Sequence, residues 1–80
     1  MNTKAQTAIQ NLTQVQEPIN QLRARLNHFQ AAPVKIRTAK HIIFGETSYV
    51  GVTTLKVIDD STGIKLTIPF VKIERIDILD

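Results

Sequence analysis

The chain has no cysteine and no tryptophan, and only three glycines, three prolines and one tyrosine among 80 residues. Without cysteine there is no disulfide, no thiolate nucleophile and no sulfur-ligated metal site, a composition that fits a reducing compartment. No apolar run approaches the roughly 18 residues a membrane span needs. The opening segment MNTKAQTAIQNL also lacks the apolar core of a signal peptide. A cytoplasmic protein without membrane contact is the expectation. The two histidines, His28 and His41, do not form a pair at ligand spacing, so neither a metal nor a cofactor is expected. Three isolated glycines make no phosphate-binding loop. Ser48 and Ser61 have no nearby base in sequence and no nucleophile elbow. Asp59 and Asp60 are adjacent carboxylates, but they stand directly before Ser-Thr-Gly, where turn formation is the expected role. No catalytic constellation can be assembled, and a non-enzymatic protein is expected.

What is present divides at AAPV, residues 31–34. Before it there is no glycine, and Gln and Asn dominate; after it come nearly all the β-branched residues. The first half carries Ala5, Ala8, Leu12, Val15, Ile19, Leu22, Leu26 and Phe29 at alternating spacings of 3 and 4, a heptad seam. Pro33 disfavours helix at the residue before it, which puts the predicted helix end at about Gln30 or Ala31. Pro18 falls inside the run while the seam keeps phase through it, so either one kinked helix or a second helix beginning at Pro18 is consistent with the pattern. A continuous helix of about 27 residues would be roughly 40 Å long. The second half of the seam, Ile19 to Phe29, has a plain use in packing on the chain's own sheet. The first half has less to pack on, and residues 4–16 are expected to contact another chain. Leu12, Val15, Ile19, Leu22 and Leu26 are the candidate seam for a homo-oligomer or a partner protein.

Residues 33–80 read as strands. VKIRTA alternates Val34, Ile36 and Thr38 against Lys35 and Arg37, HIIFGETSYVG resumes after a turn at Lys40–His41, and TTLKVIDD places Leu55 and Val57 inward. DSTG is a hairpin turn. IKLTIPF alternates Ile64, Leu66 and Ile68 against Lys65 and Thr67, with Pro69 ending the strand or lying on an edge. Pro69–Lys72 makes a corner before a last strand, KIERIDIL. Gly45 inside a strand predicts a bend or bulge. Links this short exclude parallel crossovers. The fold class expected is α+β: a long N-terminal helix over residues 1–32, then a five-stranded, strongly bent antiparallel SH3/Sm-like barrel over 33–80.

This layout resembles the Sm-like barrels, the bacterial Hfq type among them, in which an N-terminal helix precedes five bent strands and a tight turn joins the fourth and fifth. Gly45 followed by VIDDSTGIKLTIPFVKIERIDIL over residues 57–79 is similar to the C-terminal half of the YolD-like family of small bacterial proteins. That family's association with error-prone DNA polymerases implies accessory work rather than catalysis. The N-terminal segment usual in that family is replaced here by the Gln-rich heptad helix. The Sm-type RNA signatures are absent, since the corresponding regions read SYVGVTT and IPFVK, and Val71–Lys72 stands where the Hfq type has Lys-His.

Net charge is +3, with an expected pI near 9.6. Lys35, Arg37, Lys56 and Lys65 fall on outward strand positions, and Tyr49 and His41 could stack on bases, which makes nucleic acid an alternative partner. Residues 33–80 nevertheless hold seven basic and six acidic side chains, too even a balance for an electrostatic funnel.

Overall fold

A computed structural model describes the backbone of residues 3–80 and the side chains of residues 15–80. Helix α1 spans Thr3–Asn27 as one element with Pro18 inside it, so Pro18 does not separate two helices. Five strands follow: β1 (Pro33–Thr38), β2 (Ile42–Val50), β3 (Thr54–Asp59), β4 (Lys65–Pro69) and β5 (Ile73–Ile78), with a 3-10 turn at Phe70–Lys72 between the last two. They form one antiparallel sheet in the order β4-β3-β2-β1-β5. Strands β4 and β5 are its edges, and Pro69 closes β4 at an edge, where its missing N–H costs no ladder bond.

Alternation in β1 and β3 sends Val34, Ile36, Leu55 and Val57 to one face, where all four are fully buried. Ile68 from β4 and Ile73 and Ile76 from β5 complete that face. The helix covers it, packing chiefly on β5 and then on β2. Val15, Ile19 and Leu22 supply the covering stripe and belong to the same core cluster. These three residues, expected as a contact seam for another chain, are therefore occupied by the chain's own sheet. A charge placed at Leu22, where exposure is 0%, would report on folding rather than on assembly. Leu12 and the other seam positions before Val15 lie outside the residues whose side chains are described.

The helix stops earlier than Pro33 alone implies. The Gln30 N–H donates to the Arg25 carbonyl at 2.9 Å and the Phe29 N–H to the Leu26 carbonyl at 3.0 Å, the paired bonds of a Schellman cap. Phe29 occupies the left-handed position of that cap with φ +58°. Beyond the cap, the buried Thr47 joins the chain to β2. Its hydroxyl accepts from the Ala32 N–H at 3.1 Å and donates to the Ala32 carbonyl at 3.4 Å, and its own N–H donates to that carbonyl at 3.0 Å. Arg23 Nη2 donates to the Gly51 carbonyl at 3.0 Å and fastens the helix to the β2–β3 turn. Arg25 makes an ion pair with Asp80.

Two strand expectations change. The ladder shifts register between Thr47 and Tyr49 and between Arg37 and Thr38, rather than at Gly45. Gly45 serves close approach instead, because a Cβ there would meet the Ile58 carbonyl oxygen and lie 2.5 Å from Val57 Cγ1. Ile64 belongs to the turn before β4 and is largely exposed, leaving Leu66 and Ile68 as the inward pair.

The obstruction at Gly45 is partly backbone, which cannot swing aside. Gly45→Ala is expected to cost about 1–3 kcal/mol, measured as a lower urea midpoint at unchanged slope.

Candidate interaction surface

The face of the sheet turned away from the helix carries the candidate nucleic-acid contacts Lys35, Arg37, Tyr49, Lys56 and Lys65, and strand register fixes their neighbours. Lys35 stands opposite Phe44 on β2 and Asp77 on β5, with its Nζ 5.9 Å from the Phe44 ring centroid. Arg37 stands opposite Ile42 and Arg75, and its Nε lies 3.5 Å from Glu74 Oε1. Lys56 pairs with Tyr49 and Thr67, with its Nζ 5.5 Å from the tyrosine ring centroid. Lys65 stands opposite Ile58.

These cations do not form one stripe. Lys35 and Arg37 lie on β1, Lys56 and Lys65 lie on β3 and β4, and β2 runs between the two pairs. Acidic residues of β5 sit among the β1 group: Glu74 beside Arg37, Asp77 opposite Lys35, and Arg75 Nε 3.1 Å from Asp77 Oδ1. His41 is exposed in the β1–β2 turn, where its N–H donates to Thr38 Oγ1 at 3.1 Å.

Apolar side chains fill the space between the cations. Ile42, Phe44 and Tyr49 of β2 and Ile58 of β3 are all exposed large hydrophobics on this face. Sequence reading missed Ile42 and Phe44 because HIIF is apolar at both parities, so alternation alone does not assign its faces. The requirement that Gly45 face Val57 settles the parity. Ile58 takes the outward parity of β3 but was not among the candidate site residues.

Where β2 runs past the start of β1, a groove of about 550 Å³ separates it from the end of the helix. Arg23, Leu26, Asn27, Phe29 and Ala31 form one wall, and residues 46–50 with Ile58 form the other. Leu26 is half-buried there. Phe29, counted from its spacing as a seam residue, is 96% exposed at the rim. The helix ends before its ring can turn inward, and the missing cue was a glycine to mark the cap.

Asp59 ends β3 and Asp60 opens the β3–β4 turn, and Asp59 has a structural task. Its Oδ1 accepts from the Ser61 N–H at 3.0 Å and the Ser61 hydroxyl at 3.1 Å, and its Oδ2 accepts from the Thr62 hydroxyl at 3.2 Å. The turn closes through Gly63, at φ +71°, whose N–H donates to the Asp59 carbonyl at 2.7 Å. Among the described residues no group of three or more His, Asp or Glu side chains gathers at metal-binding range, and no helix is long and apolar enough to cross a membrane. No family model, curated protein or solved structure matches the chain.

The Ser61 backbone N–H first, and the Ser61 and Thr62 hydroxyls after it, hold the Asp59 carboxyl below its ordinary 3.8 against a desolvation that raises it. A depressed folded-state pKa stabilises above the unfolded value, and that contribution is lost as pH falls through the folded one. Asp59→Asn keeps an acceptor for the Ser61 N–H but does not titrate. Its melting temperature should therefore fall less than that of the parent between about pH 5 and pH 2, followed by circular dichroism.

Proposed function

We propose that this chain is a non-enzymatic protein-interaction module. Its docking surface is the outer face of β2 and β3 together with Phe29 and the groove beside it. The observation that carries this reading is the row Ile42, Phe44, Tyr49 and Ile58 left open to solvent on a sheet whose other face is fully used. Four large apolar side chains exposed on one face of a small sheet point to a contact site, and aromatics among scattered charges are the composition interfaces favour. The helix seam does not serve this purpose from Val15 to Leu22, because the core consumes it.

The sheet is read here as a strongly bent, Sm-like barrel. Supporting this are the nine-residue β2 shared between β1 and β3, the two register shifts, the close approach at Gly45 and the tight turn between the fourth and fifth strands. The YolD-like resemblance over residues 57–79 supports an accessory role beside a DNA-repair polymerase rather than catalysis. The docked protein is either a second copy of the chain or such a partner.

A nucleic-acid reading has one observation behind it, the two lysine–aromatic pairs Lys35–Phe44 and Lys56–Tyr49. The interleaved Glu74 and Asp77 weigh against it. Single-stranded oligonucleotide at low salt is therefore expected not to bind. Binding that weakens steeply with salt, and with Lys35→Ala plus Arg37→Ala, would favour nucleic acid over protein.

A photoreactive benzoylphenylalanine in place of Phe29 or Phe44 should give discrete protein adducts on irradiation in cells, whereas the same group in place of Lys72 should not. Equal labelling from all three positions, or none from Phe29 and Phe44, would remove the docking reading.

A further inference from the structure

The left-handed backbone at Phe29 serves the helix cap, but a bulky aromatic at that position gains a monomer nothing. A bulky side chain at φ +58° occupies the backbone region that glycine fills most easily, and at 96% exposure its ring touches almost nothing of its own chain. Such an outlier points toward function when the surroundings hold it in place. Here the holding is done by the two Schellman bonds on one side and by the Ala32–Thr47 bonds on the other.

The knob stands on the wall of its own groove. Phe29 lines the same open cleft as Leu26 on its helix wall and Tyr49 and Ile58 on its sheet wall, and the volume of about 550 Å³ has room for an aromatic ring. A projecting ring beside a receptive cleft on one patch meets the requirement of a two-fold interface, in which the same surface serves both partners. Charge follows the same rule. Arg23 stands on the helix wall and Glu46 on the sheet wall of this groove. A two-fold axis through the groove would turn the helix wall of each copy, with Arg23, toward the sheet wall of the other, with Glu46. Arg23 would reach it with the guanidinium N–H groups that its Nη2 bond to the Gly51 carbonyl leaves over.

We infer that the occupant of this groove is a second copy of the chain, forming a two-fold dimer in which the Phe29 rings are exchanged and Arg23 and Glu46 pair across the axis. The inference rests on the docking reading above and commits it to one partner. The photoadduct separates the two. A product of twice 9.0 kDa is self-assembly, whereas an adduct of any other mass leaves a docking surface and overturns the second copy.

The deciding measurement is absolute mass by light scattering across a concentration series. The chain should move from 9.0 kDa toward twice that mass as concentration rises. Phe29→Gly removes the knob while giving the cap its preferred residue, so it should raise the melting temperature by a few degrees and weaken dimerisation at least about thirtyfold. Because the variant is expected to be more stable, loss of the dimer cannot be ascribed to unfolding. Glu46→Arg and Arg23→Glu should each dissociate alone, by like charge meeting like charge, and should dimerise when mixed. That restoration requires a two-fold exchange between copies. Arg23→Leu, which loses the same bond to the Gly51 carbonyl without reversing the charge, should dissociate less than Arg23→Glu and so separates loss of that bond from repulsion. A constant 9.0 kDa at every concentration, an undiminished Phe29→Gly dimer, or a mixture that stays monomeric would each overturn the proposal.

Discussion

The apolar stripe of α1 lying on the inner face of the sheet is the contact on which the rest of this fold depends. A sheet of five short strands buries one face only if something covers it, and a chain of this size has little to spare for the purpose. Ile19 and Leu22 are 2% and 0% exposed and contribute about 1.5–3 kcal/mol each. Their fit fixes the direction in which the helix crosses β5 and β2. It also fixes where the chain must turn to feed β1, and that turn is what leaves Phe29 in the open.

Much of the architecture was legible in the residues. The change of period at residues 31–34 separates helix from sheet, and DSTG marks its hairpin through a carboxylate that has backbone and hydroxyl donors within reach. Pro69 announces both a strand end and an edge. The unread parts share a physical cause: each depends on packing between elements distant in sequence. A heptad spacing does not say whether its seam meets another helix or a sheet, and here Val15, Ile19 and Leu22 took the sheet. Spacing carried Phe29 onto the seam because nothing local marks a cap that lacks glycine. The segment HIIF has apolar residues at both parities, so only the crowding at Gly45 decides which of them face outward. The basic positions Lys35, Arg37, Lys56 and Lys65 were placed on the correct face, but their separation by β2 is a matter of strand order, which a linear reading does not contain.

The outer face is accordingly a mosaic. Each lysine near β2 has an aromatic ring below it, and the cations of β1 and β5 have carboxylates beside them. Exposed pairs of this kind add little stability. They do divide the surface into small neutral units, so that apolar side chains are held among charges without a long-range field. Such a surface discriminates by shape and by local charge pairing more than by steering.

The position of β1 between β2 and β5 bears on how the chain reaches this state. Val34 pairs with Gly45 nearby and with Ile78 far along the sequence. Strands β1 to β4 form a meander of local hairpins that closes small loops and assembles quickly. The helix and β5 come from opposite sides of that meander in sequence, and β5 is the strand on which the helix chiefly packs. Bringing them together closes a loop of some fifty residues, the slowest kind of search for a chain of this length. Until it succeeds, the seam and the inner face of the meander are both bare. If the meander forms first, as its small loops favour, the chain passes through a state open to misassociation that ends when Ile73 and Ile76 arrive beneath the helix.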